Sequence, residues 1–256
     1  MPLKYNRPVL ITLLLFFVTA FLAGQADPRL EEIDALTRFT GDLSAQYTVK
    51  QIAPGRPAEV TVSSVFRRDR SDRFLVVVTA PGDKKGKSYL RQADVLWLFD
   101  PRDRQFTFTS AKDRFEASNM RLSDFSGSTW ARDYKISATA RERLGQFDCR
   151  VYTLEARHSG VVFPGSKIWV SDDGLVRKIE DYDLGGTLVR TVAVPSWQRV
   201  GDVYLARDIV IFDGVKGEWI DGKFVSDQTV IRIERAGTRD LPDTLFTREY
   251  LERLAD

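Results

Sequence analysis

Residues 86–127 read GKSYLRQADVLWLFDPRDRQFTFTSAKDRFEASNMRLSDFSG. The first half is a meander: one strand up to Gln92, a second centred on Trp97, a turn at Asp100-Pro101, and a third strand through Phe106 and Phe108. From Ala111 to Gly127 the alternation stops, although Phe115, Met120, Leu122 and Phe125 keep the segment strongly apolar. Side chains of this kind need to leave water, yet the segment has no strand period with which to do so. The expectation is a flap across the mouth of a curved sheet, with the rest of the chain as the wall of a cavity beneath it.

Upstream, Leu43, Ala45, Tyr47 and Val49 alternate with polar residues, and the run breaks at Pro54-Gly55. A second strand follows from Ala58 to Phe66. Phe74 to Val78 is apolar on both faces, as a central strand covered on two sides would be. Downstream the meander resumes, with turn chemistry at Asp172-Asp173-Gly174, Leu184-Gly185-Gly186, Gly201-Asp202, Asp213-Gly214 and Asp221-Gly222. Glu218–Ile220 and Phe224–Ser226 read as a possible short hairpin. The class is mainly β: an incomplete antiparallel barrel of about ten or eleven strands, since a long twisted sheet curls. Asp27-Pro28 opens a short helix with Leu30, Ile33 and Leu36 on one face, and Phe246, Tyr250 and Leu254 mark another near the end. So large a sheet with so little cover has more inner surface than its own lid fills.

Residues 1–26 read as an export signal. Lys4 and Arg7 precede an apolar run from Val9 to Ala23, followed by Gly24-Gln25-Ala26, small at the first and third places. Fifteen residues at 1.5 Å rise span roughly 22 Å, short of the ~30 Å hydrocarbon core, which favours a cleaved leader over an anchor. No Cys follows the cleavage site, so no lipid is expected on the new amino terminus. Residues 27–256 are then one domain, with 36 basic and 36 acidic residues and a formal charge of zero. That balance gives no reason to expect nucleic acid. A lone cysteine, Cys149, offers no internal disulfide and reads as a small buried hydrophobe.

The residues quoted so far, taken in order, resemble the outer-membrane lipoprotein-sorting protein family, the periplasmic carriers of LolA-like fold. The resemblance is carried by Asp72-Arg73-Phe74-Leu75 with Ala80-Pro81, Gly86-Lys87, Leu90, Asp94, Leu96-Trp97 and Asp100-Pro101. It continues in Ser118-Asn119-Met120, Ser123-Asp124-Phe125, Ile179-Glu180, Tyr182-Asp183, Phe246-Thr247 and Tyr250-Leu251. One departure stands out: the family usually has Met-Gly-Ser before the Asp-Phe pair, and this chain has Met120-Arg121-Leu122-Ser123. The resemblance implies a periplasmic monomer that holds lipid or lipoprotein acyl chains in an apolar cavity and works with an inner-membrane exporter of the RND or ABC type. Related folds also serve as stress sensors, which leaves a lipid- or protein-sensing module as the alternative.

Candidate cavity and lid residues are Phe74, Val76, Leu96, Trp97, Phe99, Phe106, Phe108, Phe115, Met120, Leu122, Phe125 and Trp130. Parity leaves open which side of the Trp97 strand faces inward, because Leu96 to Phe99 is apolar on both. Lys84, Lys85 and Lys87 form a basic loop suited to anionic headgroups or simply to a charged hairpin tip. Chemistry is poorly supplied. His158 is the single histidine, and no nucleophile elbow, phosphate loop or dinucleotide fingerprint is present. Glu180, Asp181 and Asp183 lack calcium-loop spacing, so neither metal nor cofactor is expected, and no enzyme.

Overall fold

The computed structural model of the protein describes residues 26–254, so the leader lies, Ala26 apart, outside the described residues. Helix α1 (Pro28–Thr37) starts where the sequence places it: the Asp27 carboxylate accepts from the Arg29 N–H, and Pro28 sits where its missing donor costs nothing. Strands follow as β1 (Leu43–Ile52), β2 (Glu59–Arg68), β3 (Arg73–Ala80), β4 (Ser88–Gln92), β5 (Val95–Asp100) and β6 (Gln105–Thr109). After the flap come α2 (Trp130–Asp133), β7 (Tyr134–Leu144), β8 (Phe147–Ala156), β9 (Gly165–Ser171) and β10 (Val176–Tyr182). The long strands β11 (Leu188–Val200), β12 (Val203–Ile220) and β13 (Lys223–Thr238) lead to helix α3 (Arg248–Leu254).

All thirteen strands form one sheet, in the order β6-β5-β4-β3-β2-β1-β13-β12-β11-β10-β9-β8-β7, with every pairing antiparallel. The count exceeds the ten or eleven expected. Asp213-Gly214 is no hairpin turn but lies within β12, at a bulge, so the hairpin at Glu218–Ile220 and Phe224–Ser226 is no separate unit and continues the β12–β13 ladder. The pairing of β1 with β13 brings the chain's two β ends together in mid-sheet. The edges are therefore β6 and β7, neighbours in sequence. Residues 110–129 must travel from one edge to the other, and so cross the open side of the incomplete barrel.

Each face has its own cover. Inside, Phe115, Met120, Leu122 and Phe125 pack with Tyr47, Val65, Phe74, Val76, Tyr89 and Leu96. Outside, Leu241, Leu245, Phe246 and Leu251 from the C-terminal segment cover Leu75, Leu90 and Phe99. Strand β3 lies between the two layers, which is why Phe74 to Val78 is apolar on both sides. Helix α1 is held against the flap's end by the buried Asp34, which accepts from the Trp130 and Ala131 N–H groups at 3.0 Å each and from the Ser128 hydroxyl. These bonds satisfy donors at the start of α2. Gly174, in the β9–β10 turn, has φ +80°, and a Cβ there would meet Leu36 of α1 at 2.6 Å. The turn can approach the helix only as glycine.

Candidate functional site

The flap does not cover the whole inner face with its own side chains. Its bulky residues end at Phe125, and Ser126-Gly127-Ser128-Thr129 continue over the half of the sheet made by β10 to β13. Beneath these small residues lies a cavity of about 320 Å³. Its floor is apolar: Val176 and Ile179 from β10, Val192, Val194 and Trp197 from β11, Leu205, Ile209 and Ile211 from β12, Ile231 and Ile233 from β13. Ile33 of α1, Trp130 and Phe163 close the sides.

Charged residues also stand in this wall: Arg67, paired with Asp69, Asp133, paired with Arg132, and a cluster of Arg190, Asp124 and Asp181. Arg190 on β11 donates through Nε to Asp181 at 2.6 Å, and through its two terminal nitrogens to Asp124 of the flap at 2.8 and 3.0 Å. Its guanidinium also lies 4.4 Å from the centroid of Phe163. Burial works against the charge on Arg190, but Asp124 and Asp181 more than reverse this and hold its pKa above the ordinary value. Burial pushes the Asp181 carboxyl up, against the pull of Arg190 and the Ser166 hydroxyl. The cluster is internally satisfied, so it ties the flap to the sheet and presents no free charge to a guest.

Other ties hold the rest of the flap. Arg114 meets Asp213 at 2.7 Å, and Asn119 bonds through its N–H to Thr229 at 2.8 Å and through its amide to the Asp227 carbonyl at 3.2 Å. Glu116 accepts from Tyr89 at 2.6 Å and pairs with Lys87 at 2.9 Å and Lys84 at 3.4 Å. Lys84 and Lys87 thus anchor the flap, while Lys85 is exposed. The segment is a cover fixed by exchangeable polar bonds at intervals, with its aromatic middle sunk in the core.

Of the sequence candidates, Met120 and Trp130 line the cavity. Phe74, Val76, Leu96, Phe115, Leu122 and Phe125 gather beside it, in the filled part of the inner face. Trp97, Phe99 and Phe106 lie on the outer face with the C-terminal segment, where Arg248 sits 4.6 Å from the Trp97 ring and 4.4 Å from that of Phe106. Phe108, 75% exposed, stacks on Trp97 at 4.0 Å between centroids. The ambiguity of the Trp97 strand is thereby resolved: Leu96 and Leu98 face in, Trp97 and Phe99 out.

Sequence reasoning missed Trp197, Arg190, Phe163 and the isoleucines of β12 and β13. The available signal was the run of small residues at 126–129 opposite four strands with an apolar inner face. His158 bonds Asp133 at 3.2 Å, and Glu180 is taken by Lys178 and Tyr182. Among the described residues no group of three or more His, Cys, Asp or Glu is placed to hold a metal ion.

A family model described as an uncharacterized protein matches residues 70–253. Among solved structures, a LolA superfamily protein from Nitrosomonas europaea is 21% identical, covers 88% of this chain and 99% of its own, and superposes with a TM-score of 0.75. A putative outer membrane lipoprotein-sorting protein domain from Vibrio parahaemolyticus is 16% identical, with coverage of 88% and 97% and a TM-score of 0.75. A DUF1329 family protein from Desulfovibrio piger gives 17%, 88%, 96% and 0.76. No curated protein matches the sequence.

Proposed function

The chain belongs to the family whose model spans residues 70–253 and has the fold of the LolA superfamily, and from that premise we propose that it is a periplasmic carrier of lipid or lipoprotein acyl chains between the inner and outer membranes. The observation behind this is the hollow under residues 126–129, an apolar space left open in a chain that fills the adjoining half of the same face. Its volume of about 320 Å³ lies at the lower end of the ~300–1,000 Å³ typical of ligand pockets, which suits one acyl chain with the flap closed.

Burying a fourteen-carbon chain is worth roughly 10 kcal/mol gross, at about 0.8 kcal/mol per methylene. Bilayer and cavity offer hydrocarbon a similar environment, so the carrier neither traps its cargo nor loses it outright. Loading from an inner-membrane exporter and release to a better acceptor set the direction, with the flap opening at each step. Cargo with more than one chain requires the flap to lift, and its ties are polar bonds that water can replace.

Native mass spectrometry with lipid extraction of the protein purified from Asp27 onward tests the proposal. Co-purifying lipid, or saturable uptake of a fluorescent fatty acyl probe, is the expected result. A rigorously ligand-free protein that takes up no probe would sink it.

A further inference from the structure

Strands β12 and β13 run past their neighbours. The β11 pairing with β12 reaches Arg190–Asp213, and the β1 pairing with β13 reaches Ile52–Gln228. Beyond these points Gly217–Ile220 pair with Lys223–Ser226 as a two-stranded ribbon projecting from one end of the sheet, while Gly214 at its root lies so close to β11 that a Cβ would meet the Leu188 carbonyl oxygen at 2.3 Å. The break at its root is built for the purpose: a bulge separates Phe212 from Gly217, and a Cβ on Gly217 would lie 2.3 Å from the Val225 carbonyl oxygen.

The ribbon is apolar where a free hairpin is ordinarily charged. Trp219 is 75% exposed and pairs with Phe224 across the strands, their ring centroids 5.7 Å apart. Val215 and Ile220 are exposed beside them. Leu184, in the β10–β11 turn at the same end of the sheet, is 92% exposed. Two lysines, Lys216 and Lys223, stand there among Glu218, Asp221 and Asp227, a formal charge of −1 over residues 214–227.

We propose that this end of the sheet seats on a lipid bilayer, with Trp219, Phe224 and Leu184 entering the interfacial layer. The chemistry favours a bilayer over a protein partner on three counts. Tryptophan beside lysine is the composition that settles at the boundary of hydrocarbon and headgroup. The apolar groups are knobs on two separate connections, which a fluid surface accommodates without matching their shape. And with a formal charge of only −1 over residues 214–227, nothing in the ribbon selects an acidic or basic macromolecule.

The position of the ribbon gives the contact a consequence. Its root holds the flap: Arg114 is bonded to Asp213 and Asn119 to the Asp227 carbonyl, one on each strand. A force on the tip bears on the cover of the cavity. This consequence rests on the carrier reading; the docking itself does not.

Flotation of the chain from Asp27 onward with phosphatidylcholine vesicles tests the docking. The protein is expected to float, and raising salt from about 0.1 M to about 1 M leaves the bound fraction unchanged. The Trp219→Ser/Phe224→Ser variant binds about tenfold more weakly, and Leu184→Ser, in a turn outside the ladder, gives a smaller drop in the same direction. Uptake of a fluorescent fatty acyl probe without vesicles is the same in all three proteins. No flotation of the wild type, equal flotation of the double variant, or binding confined to anionic vesicles and abolished by salt each overturns the proposal. So does a co-purifying protein lost in the double variant when the wild type ignores vesicles. If the wild type floats but takes up no probe, the docking stands and the carrier reading falls.

Discussion

The inner face of this sheet is treated in two opposite ways. Over β1 to β5, the flap places Phe115, Met120, Leu122 and Phe125, each no more than 1% exposed, among Tyr47, Phe74 and Tyr89. Phe125 alone has ring neighbours at 5.0, 5.6 and 6.0 Å. Over β10 to β13 the flap offers mainly small residues, Ser126, Gly127, Ser128 and Thr129, with Met120 and Asp124 at the margin, and about 320 Å³ stays open above Val194, Trp197 and Ile209. Both halves are apolar, so polarity does not separate them. The difference is the volume of the covering side chains, and it turns one half into core and the other into a receptacle.

Truncation is the strongest way to break that comparison. Phe125→Ala removes the ring on which the filled half closes and should cost about 3–5 kcal/mol of unfolding free energy. Ile209→Ala, beside existing empty space, should cost clearly less, about 1–2 kcal/mol, because little packing is lost. Denaturant unfolding of the two variants compares them directly; equal losses would mean that the cavity is filled in solution. Enlargement reverses the order. Val65→Phe overpacks the filled half at about 1–3 kcal/mol, whereas Val194→Phe projects into the hollow, leaves stability near that of the wild type and blocks probe uptake.

Much of this was readable in the chain. Alternation from Leu43 onward, the turn residues and the two-faced β3 gave a curled antiparallel sheet, and the loss of period after Thr109 marked the flap. The cavity was harder to locate, because large aromatics were the cue and aromatics fill space. Phe115 and Phe125 close a core, while Trp97, Phe99 and Phe106 serve the outer layer, a choice that Leu96 to Phe99 could not reveal by parity. Hollows are written in what is small, here Ser126 to Thr129, and such residues also make ordinary loops. Arg190 was invisible for another reason: its partner Asp124 lies 66 positions away, and only the fold joins them.

The hollow half also depends on that pair to keep its cover down. Asp124→Asn leaves Arg190 with Asp181 alone and removes a charge-assisted bond from a partly exposed position, a loss of about 1–2 kcal/mol. Exchange of bound probe should quicken, and amide exchange should rise over residues 120–129. Protection around Phe115 should stay as it was, because that stretch is held by its rings and by Glu116. A uniform rise along the whole flap would mean that the two halves of the cover move as one.

The smallest effect expected is one of acidity, and it separates the two ends of the flap by sign. Burial pushes Glu116 up, but Tyr89, Lys87 and Lys84 outweigh it and leave the carboxyl below its usual pKa. Asp213 is likewise lowered, burial being overcome by the Lys216 and Val215 N–H groups and Arg114. A depressed folded pKa contributes stability above the unfolded value of about 4, and that contribution is lost as pH falls through the folded one. At the other end, burial holds Asp34 above its ordinary pKa despite Ser128, Ala131 and Trp130. Its contribution has the opposite sense: it is complete below the unfolded pKa and is lost as pH rises through the folded one. Acidification should therefore loosen residues 113–119 while the junction of α1 with α2 holds. Amide exchange compared between neutral pH and about pH 2.5 reads both ends in one experiment, and a junction that loosens first would mean that Asp34 is tied as a carboxylate after all.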